Sequence, residues 1–298
     1  MYDSTDVRAT LVASAPPPSA DEYAAAEYEK FYEQEPVIVE EGRRSWYARG
    51  QNFVVEYSQV DGECQLSRED QPDEYVLLLP DGGVTATVTT PQESVEVAGQ
   101  HMVVVPPGQS SITLRGSGTA VRLVTSQSTD LTSLASNAAS YEQPHPNVAP
   151  WEPWPEPVDG YRVRAYDMTV PPLENSTFRL FRCTTFMVNC FAASTGARDP
   201  ERLSPHSHDD FEQCSLVFAG DYVHHLRWPW TTRKSTWRED DHEACNGPSV
   251  TVIPPRVEHT SQSIGDGLHH MFDVFSPPRA DFSAKPGWVF NAEEYPAP

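Results

Sequence analysis

The sequence predicts an all-β protein of two barrels in tandem, preceded by a short N-terminal helix. Three observations carry that reading. Runs rich in β-branched residues alternate with turn residues through most of the 298 residues, as short strands joined by tight connections do. The pattern occurs twice with matching spacings, which marks an internal repeat. Between the two copies lies a proline-rich stretch that neither a helix nor a central strand accommodates.

The elements can be justified in chain order. Residues 1–18 are small and polar and end in prolines. Ser19-Ala20-Asp21-Glu22 has the form of a capping box, and Ala24, Tyr28, Phe31 and Tyr32 follow at helical spacing. A helix over 20–34, stopped before Pro36, is therefore expected within an N-terminal extension 1–36. The first barrel spans 37–127, with strand-like runs Phe53–Tyr57, Tyr75–Leu79, Val84–Thr89 and Val121–Val124 separated by turn signals such as Asp81-Gly82-Gly83 and Pro107-Gly108. A linker, 128–160, carries Pro144, Pro146, Pro150, Pro153, Pro155 and Pro157 and is expected to be extended polyproline structure. Its Trp151 and Trp154 are costly in water, so they are expected to staple it to a barrel surface. The second barrel and a C-terminal tail occupy 161–298, with runs Phe178–Arg182, Phe186–Phe191 and Phe272–Phe275. Trp288 and Tyr295 imply that the tail wraps back over a barrel.

Chemistry concentrates in the second copy. His206-Ser207-His208-Asp209-Asp210-Phe211-Glu212 is followed 47 residues later by His259. On a β-strand His206, His208 and Glu212 would all point to one face, and His259 on a neighbouring strand would complete a metal site. With Gly220 these residues resemble the first motif of the cupins, with seven residues rather than six before the glycine, and Gly247, Pro254 and His259 resemble the second. Arg256 and Ser263 stand where that family usually has Gly and Asn. The resemblance implies two double-stranded β-helix (jelly-roll) barrels, and one divalent ion on His206, His208, Glu212 and His259. It implies Fe(II) first, with Mn, Ni or Zn as alternatives.

The first copy repeats the framework without the ligands. Glu74 precedes Gly82 by the same spacing as Glu212 precedes Gly220, and Gly99 to Pro106-Pro107 matches Gly247 to Pro254-Pro255. At the ligand positions stand Arg68, Asp70 and Ser111, with only Glu74 kept. The chain thus resembles a bicupin with a degenerate, metal-free N-terminal barrel. Glu74 is expected in a structural hydrogen bond or ion pair, with Arg68 as one candidate partner.

Composition narrows the partners. A formal charge of -22 argues against nucleic-acid backbones and anionic membrane surfaces. Five cysteines without CxxC spacing point to reduced core thiols. No apolar run reaches membrane-spanning length and the N-terminus lacks a basic, apolar leader, so a cytoplasmic location is expected. A small-molecule substrate is the expected partner, with a homodimer left open.

Between the two motifs the second copy carries ten more residues than the first, including Arg227, Trp228, Trp230, Arg233, Lys234, Trp237 and Arg238. Arg227, Trp228 and Trp230 are candidate substrate-binding residues for an anionic or aromatic compound; alternatively, this is a hairpin whose cations balance Glu239, Asp240 and Asp241. Strand alternation puts either His224 or His225 inside the barrel as a candidate acid/base. Arg256 is a further catalytic candidate, and one of His269 and His270 is expected to face inward. The reading so far favours a metal-dependent oxygenase of the dioxygenase type, acting on a small organic acid or aromatic compound. A metal-dependent isomerase or lyase of a sugar acid or similar molecule is the enzymatic alternative, and a binding or storage bicupin the non-enzymatic one.

Overall fold

The structure is a computed structural model that describes residues 22–174 and 176–298. Its strands are β1 (Glu27–Lys30), β2 (Ile38–Glu40), β3 (Arg43–Arg49), β4 (Phe53–Gln71), β5 (Tyr75–Leu79), β6 (Val84–Thr89), β7 (Ser94–Val97), β8 (His101–Val105), β9 (Gly108–Thr125) and β10 (Arg164–Asp167). The remainder are β11 (Leu180–Arg182), β12 (Met187–Cys190), β13 (Ser194–Thr195), β14 (Gln213–Ala219), β15 (Asp221–Arg227), β16 (Asp241–Asn246), β17 (Ser249–Ile253), β18 (Glu258–Ile264) and β19 (Leu268–Phe275). Two single-turn helices, α1 (Thr129–Thr132) and α2 (Ala280–Ser283), stand beside them. The fold is all-β, two cupin barrels in tandem.

The first barrel is a nine-stranded sheet ordered β10-β8-β5-β9-β4-β3-β2, with β6 on β9 and β7 on β6. β4 and β9 pair as one long antiparallel ribbon from Phe53↔Thr125 to Gln71↔Gly108, so each contributes to both walls. Mid-ribbon, Gly62 faces Gly116 with φ of +113° and +123°. A side chain at Gly116 would place its Cβ 2.1 Å from the Gly83 carbonyl oxygen, which keeps that position to glycine. The second barrel combines a seven-stranded sheet, β1-β17-β14-β19-β12-β11 with β13 on β19, and a three-stranded sheet, β16-β15-β18.

Each barrel borrows an edge strand from outside its repeat. β1, upstream of the first barrel, pairs with β17 of the second, Glu27↔Val252 to Lys30↔Ser249. β10, downstream of the linker, pairs with β8 of the first, Arg164↔Val104 to Asp167↔His101. β8 and β17 are the equivalent strands of the repeat, so the exchange is reciprocal.

The expected helix over 20–34 is corrected by this exchange. Ser19 to Asp21 lie outside the described residues, 22–26 are irregular, 27–30 form β1, and only Phe31–Glu33 make a turn of 3-10 helix. Pairing with β17 satisfies the backbone, and Phe31 is buried against Trp46 and Tyr57, with ring centroids at 6.4 and 5.5 Å. Tertiary contacts thereby override a weak local preference. The linker departs from expectation more mildly: α1 and a 3-10 turn at Ala138–Tyr141 precede the proline run. Beyond them the Trp154 backbone N–H donates to the Thr184 carbonyl, and its ring lies 5.3 Å from the Arg182 guanidinium.

The largest apolar cluster lies between the barrels. Val55, Tyr57, Val76, Leu78, Val121 and Leu123 meet Phe181, Val188, Leu216, Val250, Val252 and Val274 there. The alternate residues Val54, Leu77, Leu79, Val103 and Val124 fill the interior of the first barrel. β5 is consequently buried on both faces, which is why its run is continuously apolar rather than alternating. Glu74 sits at this interface fully buried, where its carboxylate accepts from the Thr184 N–H (3.0 Å), the Thr184 hydroxyl (2.8 Å) and the Tyr295 hydroxyl (3.0 Å). The expected hydrogen-bonding role is what this geometry serves. Arg68 does not take part: it donates to Gln71 and pairs with Asp130. All five cysteines are buried and free.

Candidate metal centre

The ligand segment is not a strand. His206 forms an isolated antiparallel bridge with His259, closed by His206 N to His259 O (3.0 Å) and His259 N to His206 O (2.7 Å). A bend over Asp209–Phe211 then intervenes, and β14 begins only at Gln213. The bend shifts the alternation by one residue, so Gln213 rather than Glu212 turns toward the histidines.

Three imidazoles converge. The ligand atoms of His206, His208 and His259 lie within 4.8 Å of one another, little more than twice a metal–nitrogen bond of ~2.0–2.1 Å. The rings of His206 and His259 are anchored at Nδ1 by the carbonyls of Ser204 and Val257, both at 2.9 Å. Those bonds favour the Nδ1–H tautomer and present Nε2 as the ligand atom. Gln213 Oε1 lies 2.7 Å from His208 Nε2 and 3.5 Å from His259 Nε2. Its amide orientation follows from the other end, where Nε2 donates to Ser215 Oγ (3.0 Å) and Asp273 Oδ1 (3.2 Å). Burial, the Arg279 charge and the neighbouring imidazoles push the His208 pKa well below the usual histidine range, so His208 is neutral, with Nε2–H donating to Gln213 and the lone pair on Nδ1, which has no partner among the described residues. This neutral set fits a borderline divalent ion.

Glu212 is not in this group. Its carboxylate faces the first barrel and accepts from Gln51 N (2.6 Å), His145 Nδ1 (3.0 Å) and the Tyr141 hydroxyl (3.2 Å). It is the counterpart of Glu74: each motif's glutamate ties its barrel to the rest of the molecule. Burial disfavours the His145 imidazolium, but the Glu212 carboxylate outweighs it and raises the His145 pKa.

Of the acid/base candidates, His224 faces inward. It is fully buried, Nδ1 meets Ser261 Oγ at 2.8 Å, and Nε2 has no partner among the described residues. β15 pairs with β18 so that His224 stands opposite Ser261 and Leu226 opposite His259, which puts His224 one inward position along from the triad. Burial lowers its pKa to about 3, helped by His259 and His225. His225 faces the other way, 2.8 Å from His242 Nδ1.

The remaining candidates lie apart from the triad or serve the backbone. Arg256 has φ of +66°, the left-handed conformation that explains the glycine usual there in cupins, and its N–H donates to the His208 carbonyl at 2.6 Å. Arg227 is exposed and pairs with Asp240 at 3.1 Å. Trp228 packs with Leu226, Ile253 and Val257 against Tyr23 and Ala26, beneath Arg238 at 4.6 Å. Trp230 is 76% exposed and stacks on Trp237 at 4.4 Å. Arg238 donates to the Tyr23 and Ala24 carbonyls, and Arg233 pairs with Glu22. The insertion thus clasps the arm leading into β1. The side chain that sequence reasoning missed is Gln213, together with Asp273, which aims it. Phe211 and Phe275 flank His208 at 4.8 and 5.8 Å.

No family model matches the chain, and no curated protein matches it. Solved structures do resemble it. AerE from Microcystis aeruginosa superposes with a TM-score of 0.53 at 8% identity, over 87% of this chain and all (100%) of that one. Oxalate decarboxylase from Lactobacillus farciminis, in a formate complex, gives 0.55 at 12% over 88% and 90%. A mutant of the Bacillus subtilis oxalate decarboxylase gives 0.55 at 12% over 93% and 86%. At these identities the likeness is one of fold, and the fold is the two-barrel cupin.

Proposed function

We propose that the second barrel is the active site of a metal-dependent enzyme acting on a small organic anion. The carrying observation is the convergence of His206, His208 and His259, two of them held by backbone carbonyls with Nε2 turned to a common point. Three neutral donors would leave the charge of a divalent ion uncompensated, which favours an anionic substrate; when bound, the ion would supply Lewis acidity and charge stabilisation. Fe(II) or Mn(II) suits the donor set, as do Ni(II) and Zn(II).

The chain's own groups favour lyase or isomerase chemistry. His224 is neutral, buried and oriented through Ser261, and its second ring nitrogen is without a partner among the described residues. Alone it is a weak base, with a pKa of about 3; a carboxylate substrate beside it would raise that pKa and let Nε2 take up and return a proton inside the barrel. Gln213 fixes His208, while Phe211 and Phe275 keep bulk water from its ring. Fold neighbours include enzymes named for decarboxylating oxalate, a small dicarboxylate. The oxygenase reading keeps one support, the neutral three-histidine set. It loses the aromatic wall that Trp228 and Trp230 were expected to form.

Metal analysis of the purified protein is expected to give about one divalent ion per chain, lost in His206→Ala/His259→Ala. The loaded protein is then screened against dicarboxylic and hydroxy acids for carbon dioxide release and for C–H exchange in deuterium oxide, beside an oxygen electrode. His224→Asn should keep its metal and lose roughly 10²–10⁴-fold in rate. Oxygen uptake that persists in His224→Asn would replace this reading with the oxygenase one, and a metal-retaining double variant would end both.

A further inference from the structure

Alternation on the seven-stranded sheet leaves a second group of side chains facing away from the triad. Gln213, Asp273 and Phe275 line one face, whereas Phe181 and Phe272 join the inter-barrel core on the other. Arg179 and His270 share the face of Phe181 and Phe272. At this end the inter-barrel core opens into a groove of about 420 Å³, whose lining includes Asp81, Met168, Arg179, Phe191, His270 and Phe272. That volume is within the range of small-molecule sites, and so is the mixture of apolar wall and few polar groups.

Arg179 places a guanidinium in the groove's lining, with Asp81 as the carboxylate across it. The Arg179 Nε is buried without a hydrogen-bond partner among the described residues, a costly state for a guanidinium nitrogen. The nearby carboxylates are committed elsewhere: Asp81 accepts the Gly83 and Thr119 N–H groups at 2.8 and 3.3 Å, and Asp167 accepts both the N–H and the hydroxyl of Thr169 at 2.7 and 2.6 Å. His270 packs on Phe218 and Phe272, at 5.1 and 5.0 Å between ring centroids, and burial lowers its pKa. The guanidinium is the groove's anion-binding group, beside apolar side chains that include Met168, Phe191 and Phe272.

We propose that this inter-barrel groove is a second ligand site, separate from the histidine triad, that binds a compact monocarboxylate with an apolar body through Arg179. The carboxylate would pair with the guanidinium, and the body would lie on Met168, Phe191 and Phe272.

The test uses the full-length protein stripped of metal with a chelator, so that binding at the triad does not contribute. Benzoate and butanoate are titrated, with butylamine as the cationic control. Saturable one-to-one binding of the two acids, amide shifts at Ala192 and Ala193, at least tenfold weakening in Arg179→Met and partial recovery in Arg179→Lys are expected. Absence of saturable binding, undiminished binding in a folded Arg179→Met protein, or equal binding of butylamine would overturn the proposal. If Arg179→Met does not fold, the amide map on the wild-type protein decides: shifts confined to residues distant from the groove sink the assignment.

Discussion

Glu212 and Gln213 are adjacent in sequence, yet the structure gives them opposite duties, so substituting each by alanine separates them. The Glu212 carboxylate is 3% exposed and accepts three hydrogen bonds, from Gln51, His145 and Tyr141. Removing it strands buried donors and a histidine whose charged form it supports, a loss of about 3–5 kcal/mol. At ~2–4 °C per kcal/mol the midpoint of thermal unfolding should fall by roughly 6–20 °C. Metal content should stay at that of the wild type, because no Glu212 oxygen is near the triad. Gln213→Ala should behave in the reverse sense. It removes the amide oxygen 2.7 Å from His208 Nε2, and losing such an orienting partner typically weakens metal binding about 10–100-fold. Calorimetry and metal titration on the two variants give four numbers. A Glu212→Ala protein that unfolds at the wild-type temperature but no longer binds metal would refute the assignment and restore Glu212 as a ligand.

Three further outcomes can be checked on the same protein. Phe31→Ala should cost about 3–5 kcal/mol by denaturant unfolding, as for a fully buried core aromatic, and should raise hydrogen exchange at Val250 and Val252; an unchanged midpoint would contradict the β1–β17 pairing. In metal-free protein His224 should make stability fall with acid. Its folded pKa is depressed to about 3 from an ordinary 6.5, so its contribution is complete above pH 6.5 and is lost as pH falls toward 3, about 2 kcal/mol of it by pH 5. His224→Asn should flatten that slope, and an identical slope in the variant would count against a buried neutral imidazole. Finally, Trp230→Ala and Arg227→Ala should leave kcat/KM within about twofold and stability within ~0.5 kcal/mol, as surface substitutions do. A tenfold loss in either would bring the insertion back into the site.

What could be read from the sequence was whatever depends on local periodicity. The repeat in spacing from Glu74 to Gly82 and Glu212 to Gly220 sufficed for two barrels, and His206, His208 and His259 were legible because the fold brings their positions together. Glu212 was misplaced because alternation was carried through Asp209-Asp210-Phe211, where the chain bends and loses one step of register. In the first copy Ser110 rather than Ser111 is buried, and it meets the Tyr75 hydroxyl at 2.8 Å. β1 was illegible for a different reason: its partner Val252 is 225 residues from Glu27, and nothing local distinguishes a paired edge strand from an amphipathic helix. Trp228 and Trp230 were read as substrate-binding candidates, but Trp228 packs against Tyr23 and Ala26 of the chain's own N-terminal arm and Trp230 is exposed.

The comparison of the two barrels then explains why one scaffold serves two ends. At the position of Gln213 the first barrel has Tyr75, whose ring fills space and whose hydroxyl is satisfied by Ser110. Around it stand Val54, Leu77, Leu79, Val103 and Leu114, with the buried Arg122–Glu56 ion pair at 2.6 Å on the same face. The second barrel spends the equivalent volume on Ser215, Gln213, Asp273, His224 and Ser249, and among the described residues His224 Nε2 and Ser249 Oγ have no partner. Burying such groups is unfavourable unless something else satisfies them. The first barrel's interior charges are instead paired, Glu56 accepting from Arg122, Arg43 and the Tyr47 hydroxyl. The two glutamates separate this choice from the architecture: Glu74 and Glu212 both serve the contact between barrels, so the scaffold keeps its clamp whether or not the interior carries histidines. The first interior thus closes its charges on one another, whereas the second turns three imidazoles to one point, the condition a metal centre requires.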